Sequence, residues 1–153
     1  MQIRPLQASD HTAWLAHWQV YCGGYDATLD PQVTAATWQR ILDANAPIHG
    51  LAAVSDSGEL LGFCHFVCHP HTWSAQTICY LEDLFVSASA RRLGVASALI
   101  EHVRQLGIAQ HWFRVYWITD AGNAAAQAVY DKVATRTDYV RYEIALGKQA
   151  ELA

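Results

Sequence analysis

The chain has 153 residues, 52% of them hydrophobic and 16% charged, which is enough apolar material for one packed domain and argues against general disorder. Its formal charge of −4 disfavours a nucleic-acid binder, because phosphate neutralisation needs a basic surface. No stretch approaches the roughly 20 apolar residues of a membrane span, and Met1-Gln2-Ile3-Arg4-Pro5 lacks a signal-peptide core, so a cytoplasmic protein is expected.

Gln2 to Leu6 reads as a short opening strand. Ser9-Asp10 then offers a helix cap, followed by Trp14, Leu15, Trp18 and Tyr21 at helical spacing, until Cys22-Gly23-Gly24 breaks the helix. Asp30-Pro31 is a second helix start, with Val33, Thr37, Trp38, Ile41 and Leu42 on the apolar face. His49 to Val54 and Leu60 to Cys68 read as strands around the turn Ser55-Asp56-Ser57-Gly58. The second is apolar on both faces, as a central strand should be.

His69 to Ala75 is expected to be a connecting loop, and Gln76 to Val86 a further apolar strand. Ser87 to Gly94 leads into a helix that turns Val95, Leu99, Ile100, Val103 and Leu106 inward. Trp112 to Ile118 predicts a strand, Asn123 to Ala134 a helix, and Tyr139 to Leu146 a final strand, with a frayed tail after Gly147. Antiparallel hairpins first and strand–helix–strand units later mean a mixed α+β fold, not a doubly wound parallel sheet.

Cys22, Cys64, Cys68 and Cys79 have no zinc-finger or redox spacing and read as buried thiols in a reducing cytoplasm. His65, His69 and His71 share strand parity and imitate a metal cluster. Pro70 interrupts that strand and no second ligand motif supports it, so no metal is expected. There is no Gly-x-Ser-x-Gly elbow for a hydrolase and no three-glycine dinucleotide fingerprint.

The segment richest in chemistry is Tyr80-Leu81-Glu82-Asp83-Leu84-Phe85-Val86 followed by Arg91-Arg92-Leu93-Gly94-Val95-Ala96. It places a strand, a small-residue loop and a helix N-terminus in succession. Such a terminus leaves four N–H groups unpaired and carries partial positive charge, which suits a pyrophosphate. Gly94 and Ala96 permit close approach, and Arg91 and Arg92 add cationic donors.

Arg91 to Ala96 resembles the (Gln/Arg)-x-x-Gly-x-(Gly/Ala) coenzyme A motif of the GNAT superfamily of N-acetyltransferases. Tyr80 to Val86 resembles the matching strand of the spermidine/spermine acetyltransferases. Asn123 stands seven residues before Tyr130, the same Asn-to-Tyr spacing as in the family. Beyond it the family has a Gly-Phe or Gly-Ala turn, whereas this chain reads Asp131-Lys132-Val133-Ala134-Thr135, a run similar to the branch related to histone and polyamine acetylases.

The resemblance implies a single GNAT domain over 1–153. Its sheet would be mostly antiparallel, of about six or seven strands with a splayed pair at the acetyl-CoA site, flanked by about four helices. It implies Leu84, Phe85, Val86, Arg91, Arg92, Leu93, Gly94, Val95, Ala96 and Asn123 as the acetyl-CoA contacts. Leu84 and Val86 would pair with the pantetheine arm, and a backbone N–H near Phe85 would polarise the thioester. Glu82 is implied as the group that takes the amine's proton, and Tyr130 as the acid that protonates the departing thiolate. Asp83 reads as a solvated or structural neighbour. The expected reaction is direct acetylation of a primary amine of a small molecule, such as a polyamine or amino-acid-like compound, in a ternary complex. A non-catalytic acetyl-CoA-binding regulator and a protein-lysine acetyltransferase are the alternatives on the same scaffold. A homodimer is common in the family, and the aromatic residues of the two early helices are expected to serve core, dimer surface or acceptor wall.

Overall fold

The computed structural model describes residues 1–25, 27, 29–144 and 146. In chain order it contains β1 (Gln2–Pro5), α1 (His11–Gly23), α2 (Pro31–Leu42), β2 (Ile48–Val54), β3 (Leu60–His71), β4 (Ser74–Val86), α3 (Val95–Ala109), β5 (Arg114–Tyr116) and α4 (Ala124–Tyr130). Single 3₁₀ turns precede α1 and α3. The strands form one sheet in the order β1-β2-β3-β4-β5, antiparallel except for the parallel β4–β5 pair. The mixed α/β architecture and four helices are as expected, with five strands among the described residues in place of six or seven.

Side-chain alternation divides the sheet's two faces. Leu51, Ala53, Cys64 and Phe66 pack with Val95, Leu99, Ile100 and Val103 of α3. Ala52, Val54 and Phe63 pack on the other face with Trp14 and Trp18 of α1 and Trp38 and Ile41 of α2. β3 lies third of five strands and is buried on both faces along most of its length, which explains its unbroken apolar run.

Asp30 caps α2, accepting from the Gln32 N–H at 2.7 Å with Pro31 in the first turn. Asp10 does not cap α1. Its carboxylate instead holds Arg4 through two bonds of 2.6 and 2.8 Å and accepts from the Gln7 N–H. A bidentate guanidinium is a stronger partner than a lone backbone N–H, and it ties β1 to the start of the helix. Val33 is exposed, so the inward face of α2 narrows to Trp38 and Ile41 with Leu42 beside them.

The segment expected as a loop over His69 to Ala75 is hairpin. β3 runs on to His71, β4 begins at Ser74, and only Thr72 and Trp73 turn between them. Pro70 lies at a register shift between His69 and His71, where its missing N–H breaks no ladder bond. The final strand expected over Tyr139 to Leu146 does not join the sheet. Tyr139, Val140, Tyr142, Ile144 and Leu146 are all strongly exposed; Ala145 and the tail after Gly147 lie outside the described residues. The alternation that signals a strand is present there, but among the described residues no strand pairs with it. α4 ends at Tyr130 rather than Ala134, and the following four residues form turns and a bend.

Candidate active site

β4 pairs with β3 along its whole length, but its pairing with β5 is confined to Ile78↔Arg114, Cys79↔Val115 and Tyr80↔Tyr116. Past Tyr80 the strands part, so Leu81 to Val86 have one edge without a ladder partner among the described residues. Gly62 lets β3 press against this segment: a Cβ there would collide with the Phe85 carbonyl oxygen.

A second feature sits in the same segment. His65 faces Asp83 and Phe66 faces Leu81, which leaves Glu82 as the extra residue of a β-bulge. The bulge shifts the strand's alternation by one. Cys79 and Leu81 belong to the α3 side of the core, whereas Phe85 belongs to the α1/α2 side and Leu84 and Val86 turn toward α3.

The opening between β4 and β5 holds a cavity of about 90 Å³, lined by Tyr21, Tyr25, Leu81, Glu82, Leu84, Trp117, Ile118, Thr119, Asn123, Ala126 and Tyr130. That is room for several waters or the head of a small ligand, not for a whole coenzyme. Glu82 and Tyr130, far apart in sequence, thus share one cavity. Burial and the neighbouring Asp83 raise the Glu82 pKa. Burial, with a smaller effect of Tyr25, raises that of Tyr130, which therefore carries its proton at neutral pH. Trp117 holds the Tyr130 ring edge-on, with centroids 5.4 Å apart.

Asn123 accepts from the Ala126 N–H at 3.1 Å, so it caps α4 while also lining the cavity. Gly94 stands at the N-terminus of α3 with φ +79°, a left-handed conformation that favours glycine. Space above it is open: an added Cβ would meet nothing within 4 Å. Val95 is buried in the core and Ala96 is half-buried, while Arg91, Arg92 and Leu93 are exposed. Neither guanidinium pairs with a carboxylate among the described residues, which leaves both available to an anion at the helix end.

The aromatic residues of the early helices divide by role. Trp14, Trp18 and Trp38 are core: Trp14 stacks on Trp18 and meets Trp38 and His65 at a tilt, as Trp18 does Phe63. Tyr21 and Tyr25 alone of that group reach the cavity. Sequence reasoning weighed His65 only as a metal ligand, whereas it is fully buried and bonded to Asp83 at 2.8 Å. The signal for it was a histidine inside an otherwise apolar central strand. The three histidines do not converge as ligands: His69 contacts the Tyr116 hydroxyl and His71 stacks on Phe113.

Comparison with known proteins agrees with this geometry. The sequence model of the acetyltransferase (GNAT) family matches residues 11–134. The chain is 34% identical over 142 residues to the D-amino-acid N-acetyltransferase HPA3 of Saccharomyces cerevisiae, covering 92% of this chain and 88% of that protein. It is 27% identical over 115 residues to an aminoglycoside N(6')-acetyltransferase type 1 of Klebsiella aerogenes, covering 73% and 70%. The crystal structure of a probable acetyltransferase superposes with a TM-score of 0.87 at 24% identity, over 97% of this chain and all of that one. The ribosomal-protein-alanine N-acetyltransferase of Brucella melitensis biovar Abortus 2308 has the same fold, with a TM-score of 0.78 at 20% identity over 95% of this chain and 100% of its own. The parted β4–β5 pair, the open helix terminus beside it and the family match over most of its length make this chain a member of the GNAT family of acetyltransferases.

Proposed function

We propose that the chain moves the acetyl group of acetyl-CoA to the primary amine of a small molecule, amino-acid-like or polyamine, by direct attack in a ternary complex. The observation that carries this reading is the meeting of Glu82 and Tyr130 in one cavity beside the unpaired edge of β4. The 34% identity to a D-amino-acid N-acetyltransferase makes D-amino acids the first acceptors to try.

On this reading acetyl-CoA supplies the activated thioester. Its phosphates lie against Arg91 to Ala96 at the α3 terminus, and its pantetheine arm pairs with Leu84 and Val86. The N–H near Phe85 polarises the thioester carbonyl. Glu82 takes a proton from the ammonium, directly or through water, because an ammonium has no lone pair with which to attack. The free amine forms a C–N bond to the carbonyl carbon, the C–S bond breaks, the thiolate takes the Tyr130 proton, and the tyrosinate recovers a proton from the new amide nitrogen. Asn123 holds the start of α4, and with it Tyr130, at the cleft.

Mass-spectrometric detection of acetylated product tests this, with acetyl-CoA and a panel of D-amino acids, polyamines, aminoglycosides and lysine peptides. Product from the small amines is expected. Product from lysine peptides alone would replace the reading with protein acetylation, and acetyl-CoA binding without any product would replace it with a regulator.

Glu82 has a pH signature of its own. A base must be ionised, so the rate falls as pH drops through its raised pKa. Glu82→Gln should lower kcat/KM by roughly a hundredfold and remove that acid limb. A profile that keeps its shape would reduce Glu82 to an electrostatic role.

We further propose a cytoplasmic homodimer. The four free thiols support a reducing compartment, which cell fractionation would test. The exposed apolar side chains of Tyr139 to Ile144 support self-association, because such a row gains by leaving water. Sedimentation at twice the 17.0 kDa chain mass is expected, and a monomer would refute it.

A further inference from the structure

Cys68 and Cys79 stand directly opposite each other in the β3–β4 pair. Both turn to the α3 side of the sheet, where Cys79 belongs to the core and Cys68 packs against it. Opposed residues of antiparallel strands have Cα atoms about 4.5–5.5 Å apart, inside the roughly 4.4–6.8 Å window of a disulfide. The two thiols already share a hydrogen bond. Joining them therefore asks for a rotation of side chains and no movement of the backbone.

The two sulfurs differ in what they can do. Cys79 is fully buried, whereas Cys68 is half-buried and keeps some contact with solvent. In their hydrogen bond Cys79 donates and Cys68 accepts, which holds the Cys68 thiol below its usual range, against its burial, and raises that of Cys79. The species that attacks an oxidant is the thiolate. Of the remaining thiols, Cys64 is buried and pushed up to about 12, and burial raises Cys22 as well. Exposure and thiolate character thus coincide at Cys68, and a second sulfur waits across the ladder from it.

We propose that Cys68 and Cys79 form a site of reversible oxidation, closed to a cross-strand disulfide by hydrogen peroxide and reopened by small thiols. The Cys68 thiolate attacks one peroxide oxygen, the O–O bond breaks, and the departing hydroxide takes a proton from solvent to become water. The Cys79 sulfur then attacks the Cys68 sulfenic acid. The S–S bond forms as the S–O bond breaks, and the Cys79 proton leaves with the hydroxyl as a second water. The cysteine pair loses two electrons and the peroxide gains them. Two molecules of glutathione reverse the step by thiol–disulfide exchange, and a transient bond of this kind is what a reducing compartment permits.

The site goes beyond the acetyl-transfer reading and does not depend on it, although the two adjoin in space. On its other edge Cys79 pairs with Val115, one rung before Tyr80↔Tyr116, after which β4 and β5 part. The disulfide would tie β4 to β3 at the root of that opening, close to Leu81, which lines the cavity.

The test exposes the reduced full chain to hydrogen peroxide, stops the reaction with catalase, alkylates the remaining thiols in denaturant and maps peptic peptides by mass spectrometry. Expected are a Cys68–Cys79 linkage, an intact mass lower by two hydrogens before alkylation, alkylated Cys22 and Cys64, and return of all four thiols after glutathione. Loss of the Cys68 thiol should run at least about tenfold faster than loss of Cys22 or Cys64. Cys79→Ser keeps a donor to Cys68 and removes the second sulfur, so dimedone should capture a sulfenic acid at Cys68. Cys68→Ser should leave Cys79 unlabelled. The wild-type map decides the matter even where a variant fails to fold. A wild type that keeps both thiols, joins a different pair or links two chains would overturn the proposal, as would dimedone capture at Cys79 in Cys68→Ser.

Discussion

Tyr130→Phe is expected to lower kcat by about a hundredfold or more while leaving acetyl-CoA affinity within about twofold, as read by steady-state kinetics and calorimetry. The substitution deletes one hydroxyl and keeps the ring against Trp117, so packing is nearly conserved. What is lost, on the proposed mechanism, is the proton for the departing thiolate. Burial raises the Tyr130 pKa, so the wild-type phenol is protonated throughout the neutral range and can act as the acid at any working pH. Without it the sulfur must leave as a bare thiolate or take its proton from water. An unchanged rate would remove Tyr130 from the chemistry and leave it as a wall of the cavity.

Trp14→Ala is expected to destabilise the fold by about 3–5 kcal/mol, the usual range for deleting a fully buried large aromatic side chain. Against a domain stability of about 5–15 kcal/mol this is a large fraction. A melting temperature lower by roughly 10 °C or more should follow. Trp14 packs against Trp18, with centroids 5.7 Å apart, and Trp38, at 4.6 Å, and donates to His65. Its loss would leave a cavity between the sheet and both early helices, together with a buried imidazole nitrogen without its donor. A melting temperature within two or three degrees of wild type would show that the aromatic cluster can close over the gap.

Local signals made most of the fold legible. Asp30-Pro31 announced α2, the inward residues of α3 followed helical spacing to the residue, and Gly58 closed the β2–β3 turn as its φ of +89° requires. The candidate site was legible through a family resemblance whose loop and helix start are placed as implied. The errors came where the deciding contact is made with another element of the fold. Asp10 looks like a cap until Arg4 arrives across the turn. His69 to Ala75, with its Pro and polar residues, reads as a loop until the two long strands are seen to carry it as a hairpin. Tyr139 to Leu146 alternates like a strand, but alternation supplies no neighbour to pair with. Asp83 was undervalued because its partners, His65 and through it Trp14, stand 18 and 69 residues earlier.

The single extra residue at Glu82 makes β4 a strand with two phases. Ahead of it, odd-numbered side chains such as Cys79 and Leu81 look toward α3; behind it, Asp83 and Phe85 look toward the early helices. Chain length here is therefore as much a determinant as chemistry. Shortening the strand by one position would carry Asp83 away from His65, or Leu81 out of the α3 core, whichever half kept its register. Any conservative replacement at 82 spares this parity, whereas no deletion can. For the fold alone, a change of side chain at this point is tolerable and a change of length is not.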